Sequence, residues 1–188
     1  MKLILASKSP RRKQLLQECG FEFECVVKDC EELCDDSLDP QYVAIQNAMI
    51  KVNAIQDEVS KDAIILGSDT VVAIDHQILG KPKDKEDAYR MLKLLSGKTH
   101  QVISGVAIKF NDEMKCFCEV SEVTFYELEE ELIKTYIESG SVYDKAGSYG
   151  IQDMGRLLVK SIKGDYFNIV GLPIARVYRE LKGLMKVD

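Results

Sequence analysis

The sequence lacks the basic surplus that nucleic-acid-binding proteins usually carry. Its 25 lysines and arginines are outnumbered by 31 aspartates and glutamates, which gives a formal net charge of −6. This balance argues against a general nucleic-acid binder, and we expect no nucleic-acid partner. A small anionic ligand remains compatible with the composition, because a local basic site can exist inside an acidic protein.

The sequence also lacks the cysteine and histidine patterns of a metal or disulfide framework. Six cysteines are present without any CxxC pair, and the CxC of residues 116–118 lies in an alternating, strand-like run. A chain of 188 residues does not need disulfides to fold, so we expect the reduced thiols of a cytoplasmic protein. His76 and His100 share no metal-ligand spacing, so no zinc site is expected.

Long apolar runs are absent as well. A membrane-spanning helix needs ~20 apolar residues, and no run in this sequence approaches that length. The first apolar run, residues 3–5, is too short for a signal peptide. We therefore expect no membrane partner. With 46% hydrophobic residues, 30% charged residues and no visible linker, the sequence predicts a single globular domain over residues 1–188.

Apolar periodicity predicts a chain that mixes strands and helices. The predicted strands are 2–6, 21–27, the apolar runs 63–66 and 71–74, a hairpin of 100–110 with 115–126, and a pair at 157–162 and 166–170. The predicted helices are 11–19, a long helix after Pro40, one capped by Asp84, 129–139, and one from Pro173 to about residue 182. This order predicts an α/β fold with a mixed sheet flanked by helices.

Residues 6–16, ASKSPRRKQLL, place three consecutive cations where a strand is followed by a helix. Ser9 fits the N-cap of that helix and Pro10 fits its first position. Cations in a first turn oppose the helix dipole, so without an anion their placement is slightly unfavourable. Together with the free amides and the serine hydroxyls, Arg11 and Arg12 therefore predict a phosphate site. The alternative is that these cations are merely solvated.

A second candidate for chemistry is GSDT at residues 67–70. It places Asp69 directly after the apolar run 64–66, and ligands of open α/β sheets gather where strands end. An aspartate at that place could act as a general base toward water or hold a metal. The alternative is an ordinary turn aspartate that follows a glycine.

Two further cations and one amide complete the candidate site. Lys81 lies in GKP, and Lys145 lies in DKAGSYGIQ, where small residues suit close approach of the backbone to a ligand. Gln152 offers both a donor and an acceptor, which suits reading the edge of a base. Taken singly, each of these residues is more simply explained as a solvated surface residue.

The segment 29–39 is rich in carboxylates, among them Glu32. Oxygen ligands of this kind suit Mg²⁺ or Mn²⁺. The alternative is a solvated acidic loop, because a run of charges usually lies on an exposed face.

Taken in order, these motifs resemble the Maf family of nucleoside triphosphate pyrophosphatases over essentially the whole chain. The matching segments are SKSPRR (7–12), EE (31–32), Lys51, GSDT (67–70), KP (81–82), SGKTH (96–100), DKAG (144–147), YGIQ (149–152) and GLP (171–173). The resemblance implies an inosine triphosphatase-like fold of two lobes with a central cleft, and a homodimer. It also implies hydrolysis between the α- and β-phosphates to a monophosphate and pyrophosphate, assisted by Mg²⁺ or Mn²⁺.

The resemblance assigns roles to individual residues. It implies that Asp69 is the proton acceptor, that Asp69, Lys81 and Glu32 are catalytic, and that Asp69 and Glu32 hold the metal. The implied substrate-binding residues are Ser7, Arg11, Arg12, Lys51, Thr70, Lys145 and Gln152, with Arg12, Thr70 and Gln152 as specificity positions. The GIQ form is similar to the dTTP/UTP branch rather than the 7-methyl-GTP branch. Ser68 stands here where the family motif has alanine, and Asp153 where glycine is often seen.

Two other functions are compatible with the same motifs. One is a non-catalytic nucleotide-binding regulator of cell division, since the family has been linked to septum formation. The other is a phosphatase that releases orthophosphate. A carboxylate at Asp69 among cations favours an enzyme, because binding of an anion alone would not need it, whereas cations can stabilise charge in a transition state.

Overall fold

The computed structural model describes residues 1–185. The strands are β1 (Leu3–Leu5), β2 (Phe23–Cys25), β3 (Ile64–Ile74), β4 (Gln77–Leu79), β5 (Thr99–Phe110), β6 (Glu113–Phe125) and β7 (Val159–Lys163). The helices are α1 (Pro10–Glu18), α2 (Pro40–Ile55), α3 (Lys85–Leu95), α4 (Glu130–Glu138), α5 (Tyr166–Val170) and α6 (Ile174–Met185). None of the described helices is long and apolar enough to span a membrane.

The strands form one mixed, seven-stranded sheet in the order β2-β1-β3-β5-β6-β7, with β4 paired to the far end of β3. β1 runs parallel to β2 and β3, whereas the remaining pairs are antiparallel. Helices accompany this sheet, so the predicted α/β class with a mixed sheet is confirmed. All six cysteines are free thiols, as expected.

The short length of β1 creates the edge at which the site forms. Its register pairs Leu5 with Leu66, and β1 ends there, while β3 continues to Ile74. The chain that leaves β1 turns into α1, which Ser9 caps through its side chain and Pro10 begins, as predicted. The start of α1 therefore lies beside the second half of β3.

Helix α2 lies very close to the opposite side of β3 and β5. A Cβ added to Gly105 would lie 2.2 Å from the carbonyl carbon of Ala44, and one added to Gly67 would lie 2.5 Å from the carbonyl oxygen of Ala48. Glycine is the residue that permits such an approach of two backbones. The close contact brings polar side chains of α2 within reach of the middle of β3.

The prediction of GSDT as a break between two apolar runs was wrong. Residues 67–70 lie within β3, where each of them pairs with β5, Asp69 with Gly105 and Thr70 with Ser104. The ladder of β5 outweighs the local turn tendency of Gly67 and Ser68, because both residues are packed inside the protein.

The predicted strand pair near the C-terminus was also wrong in part. Residues 166–170 form helix α5, capped by Asp165, whose side chain accepts a hydrogen bond from the amide of Phe167. A short apolar run of this kind suits either a buried strand or a buried helix. The other member of the pair, β7, is a strand at 159–163 but pairs with β6.

Candidate active site

The structure brings every predicted site residue to one cavity of about 810 Å³ at the edge where β1 ends. The walls come from the β1–α1 turn, the acidic loop, α2, the second half of β3, the segment after β4 and the loop that precedes β7. The predicted residues that line the cavity are Ser7, Arg11, Arg12, Glu32, Lys51, Asp69, Thr70, Lys81, Lys145 and Gln152.

The carboxylate of Asp69 is held from two sides. Its Oδ1 lies 2.6 Å from Nζ of Lys51, and its Oδ2 accepts a hydrogen bond of 3.1 Å from the side-chain amide of Asn47. Asp69 is only 8% exposed, so these two partners hold it in one orientation. Two of its roughly four lone-pair positions remain for other partners.

Lys51 joins the two carboxylates that the sequence singled out. Besides Asp69, its ammonium contacts Oε1 of Glu32 at 3.0 Å and the carbonyl oxygen of Ser68 at 3.4 Å. An ammonium group has three protons, so each of them has a protein acceptor here. Lys51 therefore sets the spacing of the carboxylates as well as adding charge to the cavity.

Arg12 is a buried cation, and its hydrogen-bond acceptors within residues 1–185 are all neutral. Its Nε donates to the carbonyl oxygen of Gly171 at 2.8 Å, Nη1 to Ser7 Oγ at 3.1 Å and Nη2 to Thr70 Oγ1 at 3.0 Å. Among residues 1–185 no carboxylate oxygen lies within 4.0 Å of its guanidinium. Burial lowers the pKa of Arg12, while nearby Asp69 opposes that shift. A buried cation with only neutral acceptors favours an anion in the adjoining cavity.

A buried hydrogen-bond chain continues from Thr70 through the sheet. Oγ1 of Thr70 lies 2.8 Å from Oγ of Ser104, which donates to the carbonyl oxygen of Asn168. The side chain of Asn168 accepts from the amide of Ser104 and donates to Val102 and Ser121. This chain anchors α5 and the following Gly171 beneath Arg12.

Arg11 and Lys145 meet at Asp144. Nη1 of Arg11 lies 2.9 Å from Oδ2 of Asp144, and Nζ of Lys145 lies 2.8 Å from its Oδ1. Burial disfavours the charged form of Asp144, but hydrogen bonds from the two cations outweigh it and lower the pKa of the carboxyl. Lys145 also contacts Oδ2 of Asp153 at 3.3 Å and the carbonyl of Ser141. These two cations of the cavity are thus already paired with carboxylates.

Lys81 and Gln152 line the same cavity with exposed side chains. Within residues 1–185 Lys81 forms no ion pair. The loop that carries Gln152 is fixed by a buried aromatic anchor, in which the hydroxyl of Tyr149 lies 2.7 Å from Nε2 of His100. The amide of Gly150 donates to the hydroxyl of Tyr136 at 3.0 Å, so the loop is anchored on both sides.

The residues that sequence reasoning missed are partners of the predicted ones. Asn47 contacts Asp69, Asp144 contacts Arg11 and Lys145, and Ser104 contacts Thr70. For Asn47 a signal existed, because it precedes Lys51 by one helical turn on the same face of a predicted helix.

The donor set fits a divalent cation that takes only part of its ligands from the protein. No group of three or more histidine, cysteine, aspartate or glutamate side chains is assembled as a metal site in the described part of the chain. Asp69 and Glu32 nevertheless share Lys51. Mg²⁺ typically takes one or two protein carboxylates and completes its shell with substrate phosphates and water.

Comparison with known proteins finds relatives that match nearly the whole length of the chain. A family model described as "Maf-like protein" matches residues 2–184. A "dTTP/UTP pyrophosphatase" from Bacillus cereus is 50% identical over 181 residues, which cover 96% of this chain and 94% of the relative. Another from Thermosipho africanus is 49% identical over 178 residues, which cover 95% and 91%.

Two solved structures match about two thirds of the chain at low similarity. The Ham1 protein of Staphylococcus aureus has 14% identity and a TM-score of 0.46, covering 66% of this chain and 72% of that one. A nucleoside-triphosphatase / dITP/XTP pyrophosphatase from Mycobacterium abscessus has 15% identity and a TM-score of 0.44, covering 68% and 76%.

Proposed function

The chain belongs to the Maf family, and from this premise we propose that it hydrolyses dTTP and UTP to the monophosphate and pyrophosphate. Relatives that are 49% and 50% identical over nearly their full length are dTTP/UTP pyrophosphatases. The predicted site residues, scattered from Ser7 to Gln152 in the sequence, line a single cavity. That convergence supports one site with one reaction.

The observation that carries the proposal is the pairing of a fixed carboxylate with buried positive charge. Asp69 is held in place by Lys51 at 2.6 Å, and Arg12 lies in the same cavity without a carboxylate within 4.0 Å in residues 1–185. A nucleoside triphosphate is an anion that would satisfy Arg12. A carboxylate facing that anion is unfavourable for binding alone, but it is suited to taking a proton from water.

Each residue of the site has its own role in the proposed reaction. Asp69 accepts the proton of the attacking water, and Lys51, at 2.6 Å, orients that carboxylate. Water adds across the bond between the α- and β-phosphates, and pyrophosphate leaves. Arg11, Lys81 and Lys145 face the triphosphate, and those nearest the leaving pyrophosphate stabilise the charge that develops on it.

Glu32 and Asp69 would hold the divalent cation. Mg²⁺ or Mn²⁺ bound there supplies a Lewis acid that polarises phosphoryl oxygens. Without the metal, both carboxylates contact the ammonium of Lys51, and its positive charge offsets the repulsion between them. This arrangement supports a metal that enters with the substrate.

Base selection is proposed to reside in the loop of residues 149–152 and the floor beneath it. Gln152 presents an exposed side-chain amide that can donate to and accept from a pyrimidine edge. Arg12 and Thr70 are hydrogen bonded to one another, so they shape the floor as a unit. A site built of such groups discriminates against a base that leaves them unpaired.

We also propose a homodimer. The family resemblance implies one, and β7 is an edge strand of the sheet flanked by exposed apolar side chains, among them Leu157, Ile162 and Tyr166. Exposed apolar side chains beside the edge strand of a sheet suit contact with a second copy. Light scattering coupled to gel filtration tests this, and a purely monomeric protein at micromolar concentration would contradict it.

The experiment that tests the proposed function identifies the products formed from a panel of nucleoside triphosphates with Mg²⁺ or Mn²⁺. We expect pyrophosphate and monophosphate, with dTTP and UTP as the best substrates. Orthophosphate as the first product would replace the proposal by a phosphatase. Nucleotide binding without turnover would replace it by a non-catalytic nucleotide-binding protein.

A further inference from the structure

The side chain of Asn47 connects three separate parts of the site. Asn47 lies on α2 and is only 2% exposed. Its Oδ1 accepts from the amide of Leu33 at 2.7 Å, while its Nδ2 donates to the carbonyl oxygen of Leu33 and to Oδ2 of Asp69, both at 3.1 Å. Helix, acidic loop and strand β3 therefore meet at one carboxamide.

The orientation of this carboxamide is determined by its partners. The backbone amide of Leu33 can only donate, so the oxygen of Asn47 must face it, and the nitrogen must face the two acceptors. Both protons of Nδ2 are then used, one on Leu33 and one on Asp69. A buried group with every hydrogen bond formed holds its neighbours rigidly, because any shift leaves a polar group unpaired.

Asn47 and Lys51 act on the same two segments from one helical face. They are four residues apart, so their side chains lie one turn apart. Lys51 contacts Glu32 and one oxygen of Asp69, whereas Asn47 contacts Leu33 and the other oxygen. Each of the two residues thus connects the acidic loop to the carboxylate.

We propose that Asn47 is a positioning residue that couples docking of the acidic loop to the orientation of the Asp69 carboxylate. The proposal rests on the proposed function, in which Asp69 takes a proton from water. With the loop docked, the carboxamide fixes Oδ2 while Lys51 fixes Oδ1. With Leu33 released, Asn47 loses two of its three hydrogen bonds, and its carboxamide can then turn away from Asp69.

The structure supplies a control that loosens the far end of the loop and leaves the hydrogen bonds between Asn47 and Leu33 in place. Asp36 anchors the far end of the loop, since its Oδ1 accepts from the amide of Ile78 at 3.1 Å. Asp36→Ala removes this anchor alone. Asn47→Leu removes the carboxamide at similar volume, and Asn47→Ala does so with space for water and with a better helix former should the leucine fail to fold.

The test measures kcat and KM for dTTP with Mg²⁺, and separately the rate at which a glutamate-specific protease cuts at Glu31 and Glu32 in the protein alone. Both Asn47 variants are expected to be cut faster than the wild type, whereas Asp36→Ala, in which Leu33 stays bound to Asn47, is expected to be cut at close to the wild-type rate. Only the Asn47 variants are expected to lose kcat, by about 10- to 100-fold with KM changed much less, because misplacing a reacting group reduces turnover. Thermal melting verifies that each variant is folded.

Three outcomes would overturn the proposal. The first is a folded Asn47 variant whose kcat stays within about twofold of the wild type. The second is an equal loss of kcat in Asp36→Ala, which would assign the effect to loosening of the loop in general and not to the Asn47 carboxamide. The third is unchanged cleavage in the Asn47 variants, which would show that the loop does not depend on Asn47. Absence of turnover in the wild type would instead contradict the proposed function, and the cleavage rates would still test docking of the loop by Asn47.

Discussion

The ammonium of Lys51 lies 2.6 Å from Oδ1 of Asp69, and the two side chains are only 15% and 11% exposed. A pair so shielded from water is screened far less than a surface ion pair. It fixes the carboxylate at the centre of the cavity and offsets its charge, so that an anionic substrate can approach. The remaining contacts of the site are arranged around this pair.

Removal of the Lys51 ammonium should lower both the activity of the protein and its free energy of unfolding. In Lys51→Met the carboxylates of Asp69 and Glu32 would lose their shared cation, and Asp69 would stay buried without a counter-charge. We expect kcat/KM for dTTP to fall at least about 100-fold and the free energy of unfolding to fall by about 2 kcal/mol or more. Steady-state kinetics and urea unfolding measure the two effects.

The matched control is Lys93→Met. Lys93 also forms an ion pair, with Glu130 at 3.0 Å, but this pair lies on the surface. Exposed pairs contribute little, so activity and unfolding should stay near the wild type. Equal effects in both variants would contradict a special role for the pair of Lys51 and Asp69.

Arg12 should not tolerate replacement by lysine. Its three nitrogens donate to Gly171, Ser7 and Thr70 in different directions, which a planar guanidinium can do and an ammonium cannot. Arg12→Lys should raise KM for dTTP about tenfold or more and lower the melting temperature by several degrees. Arg90→Lys, which alters an exposed pair with Asp87 on α3, is the control and should change neither quantity. A functional Arg12→Lys enzyme would show that charge alone is sufficient there.

Asp153 should weaken binding of the triphosphate. Its Oδ2 lies 3.3 Å from Lys145, while its Oδ1 accepts from the hydroxyl of Tyr136 and the amide of Gly155. Asp153→Asn removes the negative charge but keeps a side chain able to accept those bonds. We expect KM for dTTP to fall about two- to fivefold with kcat little changed.

The control for this charge removal is Asp112→Asn, in the exposed turn between β5 and β6. It changes the net charge of the protein by the same amount, and Asp112 is not among the residues that line the cavity. If both variants lower KM equally, the effect belongs to the overall charge. If Asp153→Asn leaves KM unchanged or raises it, Asp153 does not compete with the substrate for Lys145.

Stability should fall in mild acid because of His100. Burial lowers the pKa of His100 from 6.5 to about 4, so the folded protein holds it neutral. Below the unfolded pKa the unfolded chain takes up a proton that the folded chain does not, and the stability is lost as the pH falls from 6.5 toward 4. Between pH 7 and pH 5 this should cost about 2 kcal/mol.

Chemical unfolding of the wild type and of His100→Gln at pH 7 and pH 5 tests this. Glutamine can still meet the hydroxyl of Tyr149, which lies 2.7 Å from Nε2, but it does not titrate. The difference in unfolding free energy between the two pH values should be smaller in the variant. The same pH dependence in both proteins would exclude His100 as its source.

Local sequence signals predicted the helix starts of the site well. Ser9 with Pro10, and Asp84 at the start of α3, were predicted as caps, and both side chains accept the capping hydrogen bond. Such signals act over a few residues and need no partner from elsewhere in the chain. The sequence also predicts ten of the residues that line the cavity, because their motifs follow one another in a family order.

Contacts between segments that are distant in the sequence could not be predicted from such local signals. Gly67 and Ser68 look like turn residues until β5 supplies a strand partner for each of them. The apolar run of α5 became a helix because Asn168 makes buried hydrogen bonds to β5 and β6. The position of Asn47 one turn before Lys51 indicates the helix face that it shares, but its contacts with Leu33 and Asp69 form only in the folded protein.

The most direct test of the central claim is release of pyrophosphate from dTTP by Asp69→Asn in a single turnover with Mg²⁺. Asparagine keeps the shape of the side chain but cannot accept the proton, so we expect the rate to fall about 1,000-fold or more while dTTP still binds. Asp75→Asn, at an exposed position in the turn that follows β3, should keep the wild-type rate. Release of pyrophosphate at the wild-type rate by Asp69→Asn would contradict the account.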